Sequence, residues 1–395
     1  MSDDPEYQRA EAALIGQDLL TIRRHLHSHP ELSGQERETT AYVGRHLSEQ
    51  GIPYRLGPGG VGIVSDLGDP DAKNIPLIGL RADLDALPIQ EENVTPYRSQ
   101  NHGVMHACGH DAHTTMLLGA LTALHAVGTP GARCRGIFQS SEESGQGALD
   151  MVNAGAMEGV RAIIALHVDP NIPCGTIAIS SGPQTACCQD FSISVKGVGG
   201  HAARPHLTID PIAIAAQLVT LIYQTIPRGT DMNYPVVVTV GEFLAGSCTN
   251  VIPEYANLRG TLRALTLHAA DSTRKRLQEL CAGMALSSRA EITITFERQL
   301  PGVVNDPIVT EACRQAACAV VGEKQVLEAR PSMGAEDFAD YLSEAPGCMM
   351  RLGVRAPGAE IRPLHTPTFD VAEEALLVGA KLLVRSFCNL SKSLR

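Results

Sequence analysis

Four short apolar runs constrain this chain more than anything else in it. They are Ile75-Pro-Leu-Ile-Gly-Leu80, Arg135-Gly-Ile-Phe-Gln139, Ala162-Ile-Ile-Ala-Leu166 and Cys348-Met-Met-Arg-Leu352. Runs this short, without alternation, read as strands buried on both faces, and a sheet buries both faces only under helices on each side. Segments with helical spacing stand around them: about Gln35 to Gln50, the stretch after His113, and Gly147 to Asn153. At the amino end, Leu14, Leu19, Leu20, Ile22 and Leu26 predict one amphipathic helix from about Tyr7 to His27, stopped before Pro30. The expected fold class is α/β, a mixed sheet flanked by helices.

At 395 residues the chain is long for one core. Residues 184–298 break the pattern. Phe191, Ile193 and Val195 alternate as in a strand with one solvated face, and Asp210-Pro211 opens a helix with Asp at the cap and Pro at the first turn. Two further strands (Val236 to Phe243, Glu254 to Leu265), a helix (Thr266 to Ser288) and a last strand (Ile292 to Phe296) complete a β-α-β-β-α-β order, the ferredoxin-like arrangement. The expectation is an inserted α+β domain at 184–298 within a discontinuous domain of 1–183 and 299–395.

Polar residues gather just past the carboxyl ends of the strand runs. Asp83 and Asp85 follow the first, Glu142 and Glu143 the second and His167 the third, while His365 lies in the loop beyond the fourth. Open α/β sheets place their sites there. Met105-His-Ala-Cys-Gly-His-Asp-Ala-His113 adds Cys108 and His110 on a tight turn feeding a helix, with Asp111 as its expected cap and His113 turned toward packing. Alone, the turn reads equally well as a buried Cys beside surface His, and Glu142-Glu143 as a solvated loop. Pooled, these donors suffice for two divalent ions sharing a ligand or a water. One glutamate would ligate and the other would take the proton of a water whose pKa a metal lowers to ~7. A Cys108/His nucleophilic dyad stays open beside this, although it has no use for so many carboxylates. His25, His27 and His29 alternate on a helix, so only His25 and His29 could share a face, and no metal site is expected there.

The net charge of −11 argues against nucleic acid or an anionic membrane as partner, and aromatics at 4% against stacking on single strands. The acidic amino end has no secretory pattern, and no apolar run approaches the ~18 residues of a membrane span. Eleven Cys without C-x-x-C pairs fit reduced thiols in a cytoplasm. Asn93-Val-Thr and Asn389-Leu-Ser are read as chance matches to the glycosylation triplet.

Leu80-Arg-Ala-Asp-Leu-Asp-Ala-Leu-Pro-Ile89, Met105–His113, Glu142-Glu143 and Leu166-His167 together resemble the M20 metallopeptidase and amidohydrolase family. So do Gly200-His-Ala-Ala-Arg-Pro-His206, Thr249-Asn-Val-Ile-Pro253, Gly334-Ala-Glu-Asp-Phe338 and Leu364-His-Thr-Pro-Thr-Phe369. The branch with aminoacylases, hippurate hydrolases and auxin-conjugate hydrolases is the nearest match. The resemblance implies two divalent metals (Zn or Mn, with Co or Ni also suited) on Cys108, His110, Glu143, His167 and His365, with Glu142 as general base. Many members carry H-x-D where this chain has Asp83 and Asp85, and Asp85 is expected to orient a ligand. His201 and Asn250 take the places of substrate-contacting residues, and Arg263 is the candidate for a substrate carboxylate. The expected reaction is amide hydrolysis of small N-acyl amino acids, with the inserted lid supporting a homodimer or higher homo-oligomer. Dipeptide-like or N-carbamoyl substrates on the same site, or a non-catalytic amino-acid- or metal-binding protein, are the alternatives.

Overall fold

The amino-terminal amphipathic stretch forms two helices rather than one. In this computed structural model, which describes residues 5–72 and 74–394, α1 (Pro5–Ile15) ends at Gly16, and α2 (Leu19–Ser28) restarts where the Asp18 side chain accepts the Thr21 amide at 3.1 Å. Glycine releases the helix and an aspartate cap starts the next, which outweighs the continuous apolar spacing. The chain continues through α3 (Arg37–Glu49), β1 (Tyr54–Leu56), β2 (Ile63–Leu67), β3 (Leu77–Asp83), α4 (His110–Val127), β4 (Arg133–Gln139), α5 (Gly147–Asn153), β5 (Val160–Pro173), β6 (Ile177–Ala178) and β7 (Gly182–Pro183).

Next come β8 (Cys187–Lys196), β9 (Gly200–His201), α6 (Pro211–Gly229), β10 (Val236–Ala245), β11 (Val251–Ile252), β12 (Tyr255–Ala264), α7 (Leu267–Ser288) and β13 (Glu291–Phe296). The Asp210 carboxylate caps α6 at the Ile212 and Ala213 amides. The chain closes with β14 (Val304–Asn305), α8 (Pro307–Val321), β15 (Val326–Leu327), α9 (Phe338–Leu342), β16 (Gly347–Arg355) and α10 (Glu374–Ser393).

Two compact units result. One comprises the chain through Gln184, Val303–Arg330, and Glu336 onward; the other comprises Thr185–Gly302 and Pro331–Ala335. The first holds an eight-stranded mixed sheet in the order β1-β2-β4-β3-β5-β16-β6-β15. Within it β4, β3, β5 and β16 are parallel neighbours, so their carboxyl ends share one edge. Both faces are covered, which is why these strands read as unbroken apolar runs. Leu80, Leu166 and Leu352 pack toward α4, α8 and α10, while Ile137, Ala165 and Met349 pack toward α5 and α9. β5 is longer than its apolar run: His167 lies inside it rather than past its end, because pairing with β16 carries the strand on to Pro173.

The second unit has its own core. Its antiparallel sheet, ordered β10-β12-β8-β13, packs Phe191, Ile193 and Val195 against Leu218, Ile222 and Leu277 of α6 and α7. Among the described residues no helix is long and apolar enough to cross a membrane.

Candidate metal centre

Three left-handed backbone positions shape the loops at the carboxyl edge of the first unit's sheet. Gly109 has φ +85°, and a Cβ there would stand 2.5 Å from Val168 Cγ2, so only glycine lets the chain pass from Cys108 into α4. Ser141 (φ +60°) and His365 (φ +62°) take the same conformation without being glycine. Such backbone costs of order 1 kcal/mol or more and is kept where its surroundings over-determine it. The return from Ser141 is equally tight, since a Cβ on Gly147 would lie 1.7 Å from the Ser140 carbonyl oxygen. Asp111 is not the helix cap. Gly109 opens α4, and the buried Asp111 carboxylate instead accepts from Arg23 Nε at 2.9 Å and bonds His27 Nδ1 at 2.8 Å.

These loops bring five donor side chains together. His365 Nε2 lies 3.3 Å from Cys108 Sγ and 3.4 Å from Glu143 Oε1, and His167 Nε2 lies 3.6 Å from Cys108 Sγ. His110 Nε2 is 3.9 Å from Glu143 Oε1 and 4.0 Å from Glu142 Oε2. Three overlapping groups (Cys108–His110–His167, Cys108–Glu143–His365 and His110–Glu142–Glu143) each place their donor atoms within 4.8 Å of one another. The His365 side chain is half exposed and the other ligand candidates are shielded.

The hydrogen bonds behind these rings fix their tautomers. His110 Nδ1 faces the Asp85 carbonyl at 2.9 Å, and His167 Nδ1 faces the Val168 carbonyl at 2.8 Å. A carbonyl only accepts, so both Nδ1 atoms carry a proton and both rings turn Nε2 inward. His110 Nε2 is buried with no hydrogen-bond partner, and the buried Glu143 Oε1 has only the 3.4 Å approach of His365 Nε2. Inward Nε2 atoms, a thiol and a sparsely bonded carboxylate oxygen fit divalent cations, since buried polar atoms are otherwise satisfied. His113 is spent differently: the Val168 amide donates to its Nε2 at 2.9 Å, and its Nδ1–H reaches Asp83 at 2.6 Å.

Asp85 ties the ligand turns together. Its Oδ1 lies 3.1 Å from His110 Nδ1, and its Oδ2 accepts from Ser33 Oγ at 2.7 Å and from the Glu143 amide at 3.0 Å. Behind Glu142 stands a charge cluster that sequence reasoning missed. The buried Arg81 guanidinium meets Asp83 at 2.6 Å, Glu336 at 3.0 Å and Asp337 at 3.1 Å, and Gln139 Nε2 and the Ala148 amide also donate to Asp337. The signal was present in Arg81-Ala-Asp83 and Gly334-Ala-Glu-Asp337, whose roles spacing does not disclose.

Burial, and then the Glu336 and Asp337 carboxylates, raise the Glu142 pKa well above the usual range, while burial and the same neighbourhood lift Asp337 to about 8. Burial likewise pushes the Cys108 thiol up, against the pull of His110. His167 is held well below its ordinary value by burial and His113, which keeps its ring neutral.

In the second unit, β9 and β11 pair His201 with Val251, and the Ala202 amide bonds the Asn250 carbonyl at 3.1 Å, so His201 and Asn250 are neighbours there. The Ala203 amide donates to His201 Nδ1 at 3.0 Å, leaving an exposed Nε2–H as a donor. Arg263 Nη1 donates to the Met333 carbonyl at 3.1 Å.

Residues 79–389 match the family described as Peptidase family M20/M25/M40. The chain is 35% identical over 381 residues to an N-acetyl-L-cysteine deacetylase of Bacillus subtilis (strain 168), covering 96% of this chain and 89% of that protein. It is 41% identical over 367 residues to a Rhodococcus jostii (strain RHA1) protein named as a glutamate–cysteine ligase, of which it spans only 46%. Among solved structures, the Bacillus subtilis YXEP protein, described as a dinuclear metal binding peptidase from M20 family, superposes with a TM-score of 0.84 at 33% identity over 96% of this chain and 99% of that one.

Proposed function

The chain belongs to peptidase family M20/M25/M40, and from that premise we propose that it hydrolyses the amide bond of N-acyl amino acids, acetyl or aryl-acyl, to a carboxylic acid and a free amino acid. The observation that carries this reading is the convergence of Cys108, His110, Glu143, His167 and His365 beside Glu142, with the Nε2 atoms of His110 and His167 fixed inward. Those five residues would hold two divalent ions, for which zinc or manganese is the first choice and cobalt or nickel also suits the donors. Bound there, such ions polarise the acyl oxygen and acidify the attacking water.

The remaining work falls to the chain. Glu142 accepts the proton of the attacking water and returns it to the departing nitrogen. Asp85 acts as a positioning residue, fixing the tautomer of His110 and the turn that carries Glu143. His201 and Asn250 are assigned contact with the substrate, for which the exposed Nε2–H of His201 is chemically suited, and Arg263 is the second unit's candidate for a substrate carboxylate. A homodimer built through residues 184–298 is part of the reading. β10, at the free edge of that unit's sheet, leaves Val237, Phe243 and Leu244 exposed in support of it. Eleven free cysteines suit a reducing, cytoplasmic setting.

The test is a panel of N-acetyl, N-benzoyl and N-carbamoyl amino acids and dipeptides, assayed with and without chelator and after metal re-addition. Turnover of the N-acyl compounds, lost to chelator and restored by metal, is expected. Preference for N-carbamoyl amino acids or dipeptides would give the site to those substrates. Activity that resists chelator and yields to thiol alkylation would make Cys108 a nucleophile, which its burial-raised pKa opposes. Stoichiometric metal without any turnover would leave a binding protein.

A further inference from the structure

Arg351 is the one charged residue in the apolar run of β16, and no motif pointed to it. It is the register partner of His167 on the parallel strand β5. Register partners project to the same face: Met349 and Ala165 share one core, and Met350 and Leu166 the other. Arg351 therefore shares the face of His167, one strand spacing away, about 4.8 Å.

Its partners within the chain are poor. Nη1 lies 3.6 Å from the Asp169 carboxylate, Nη2 lies 3.4 Å from the Gln184 carbonyl, and Nε is buried with no partner at all. Asp169 is itself engaged, since its Oδ1 accepts from the amide and the side chain of Asn171 at 2.9 Å. Two other arginines of this sheet are well paired: Arg81 meets three carboxylates at 2.6–3.1 Å, and Arg135 grips Asp66 at 2.7 and 2.8 Å. Arg133 on β4 shares the loose geometry, with Nε unpartnered and Nη1 3.5 Å from the Pro70 carbonyl, so what sets Arg351 apart is its place beside His167. A half-buried guanidinium normally acquires the paired geometry when its task is to hold the fold. Arg351 has not, although Asp169, two residues beyond His167, draws it along β5 past the candidate metal ligand.

We propose that Arg351 binds a carboxylate of the substrate, presenting its fork beside His167 in exchange for the long contact with Asp169. The proposal rests on the N-acyl amino acid reading and deepens it. An N-acyl amino acid carries one carboxylate on its amino-acid half, and a second on its acyl half when the acyl group derives from a dicarboxylic acid. Either is the same ligand chemistry, and the substrate panel tells them apart.

The experiment compares the metal-loaded wild-type protein with Arg351→Gln and Arg351→Lys on N-acetylmethionine, N-acetylmethioninamide and N-succinylmethionine. Loss of a bidentate, charge-assisted contact is expected to raise KM roughly 10- to 100-fold for the substrate bearing the recognised carboxylate, with Lys recovering part of it. kcat should change by less than about threefold, because the contact is made equally in ground and transition states. If the amino-acid carboxylate is the ligand, N-acetylmethioninamide is poor for wild type and indifferent to the substitution. If the acyl carboxylate is the ligand, only N-succinylmethionine responds. Equal losses on all three compounds, or none, overturn the proposal. Binding is measured in parallel by calorimetry on metal-loaded Glu142→Gln protein with and without Arg351→Gln. Should wild type cleave none of the amides, the functional reading fails, and the Arg351 proposal is decided by binding alone. Affinity for the carboxylate compounds that falls with Arg351→Gln sustains it, and absent or unaffected binding refutes it. If Arg351→Gln fails to fold, Arg351→Lys and wild-type affinity for each compound carry the same comparison.

Discussion

Glu142 sits where three carboxylates crowd within 4.8 Å, and Arg81 is the cation that makes the crowding tolerable. Replacing Glu142 with Gln keeps its size and removes its proton-accepting oxygen without touching the five ligand candidates. Metal content should stay near that of wild type while kcat falls roughly 100- to 10,000-fold, the usual share of general acid–base catalysis. Kinetics beside elemental analysis decide it, and substantial residual turnover would remove Glu142 from the role. Asp85 makes the complementary prediction. It touches His110 Nδ1 and the Glu143 amide, so Asp85→Ala should weaken metal affinity about 10- to 100-fold, the usual cost of losing an outer-sphere partner. Competition with a chromophoric chelator measures this, and unchanged affinity would make Asp85 a structural residue only. Asp85 could be anticipated because it follows a strand run closely. Arg81 and Asp337 could not: they lie 256 positions apart, and no local periodicity encodes an ion pair across that distance.

At the scale of elements, α2 and α4 are joined by charge rather than by apolar packing alone. Arg23 and His27 on α2 both reach Asp111 on the first turn of α4, and His27 Nε2 also faces Glu91 at 3.2 Å. Of the alternating His25, His27 and His29, His25 and His29 stack on each other as their helical spacing implied, while His27 is buried in a link the spacing could not reveal. Burial works against its charge, but Asp111 and Glu91 hold the pKa up to about 9. Because the folded value lies above the unfolded value of about 6.5, the link contributes fully below pH 6.5 and is lost as the pH rises through about 9. A shift of this size corresponds to about 3 kcal/mol. His27→Gln should therefore cost most at pH 6, and the gap from wild type should shrink toward pH 9.5 in urea unfolding. A gap independent of pH would sink the idea. Element boundaries were otherwise legible where chemistry is local, as with Asp210-Pro211 at the head of α6. They failed where tertiary pairing extends a strand, as in β5, or where a Gly and a cap interrupt an apolar face, as between α1 and α2.

For the whole molecule, the alternation of short apolar strands and helices disclosed the mixed sheet, because a parallel strand covered on both faces leaves an unbroken apolar run in the sequence. The return of Pro331–Ala335 to the second unit left no such trace: Thr185 bridges Ser332 and the Ala186 amide bonds the Gly334 carbonyl, contacts set by tertiary structure alone. Each unit has its own core, and among the described residues the converging donors lie in the first. Metal removal should therefore act on one unit and spare the other. A ligand present at 1,000 times its Kd adds about 4 kcal/mol to the state that binds it, and in a unit of this size that is a shift of roughly 10 °C in Tm. Calorimetry of the chelated protein should show the transition of the metal-bearing unit moving down by about that much, while the transition of the unit around Phe191 and Leu277 keeps its temperature. Re-addition of zinc or manganese should move the first transition back. A single transition that shifts as one would show that the two cores melt together, and a chelator that moves neither would remove the cations from the folding of the first unit.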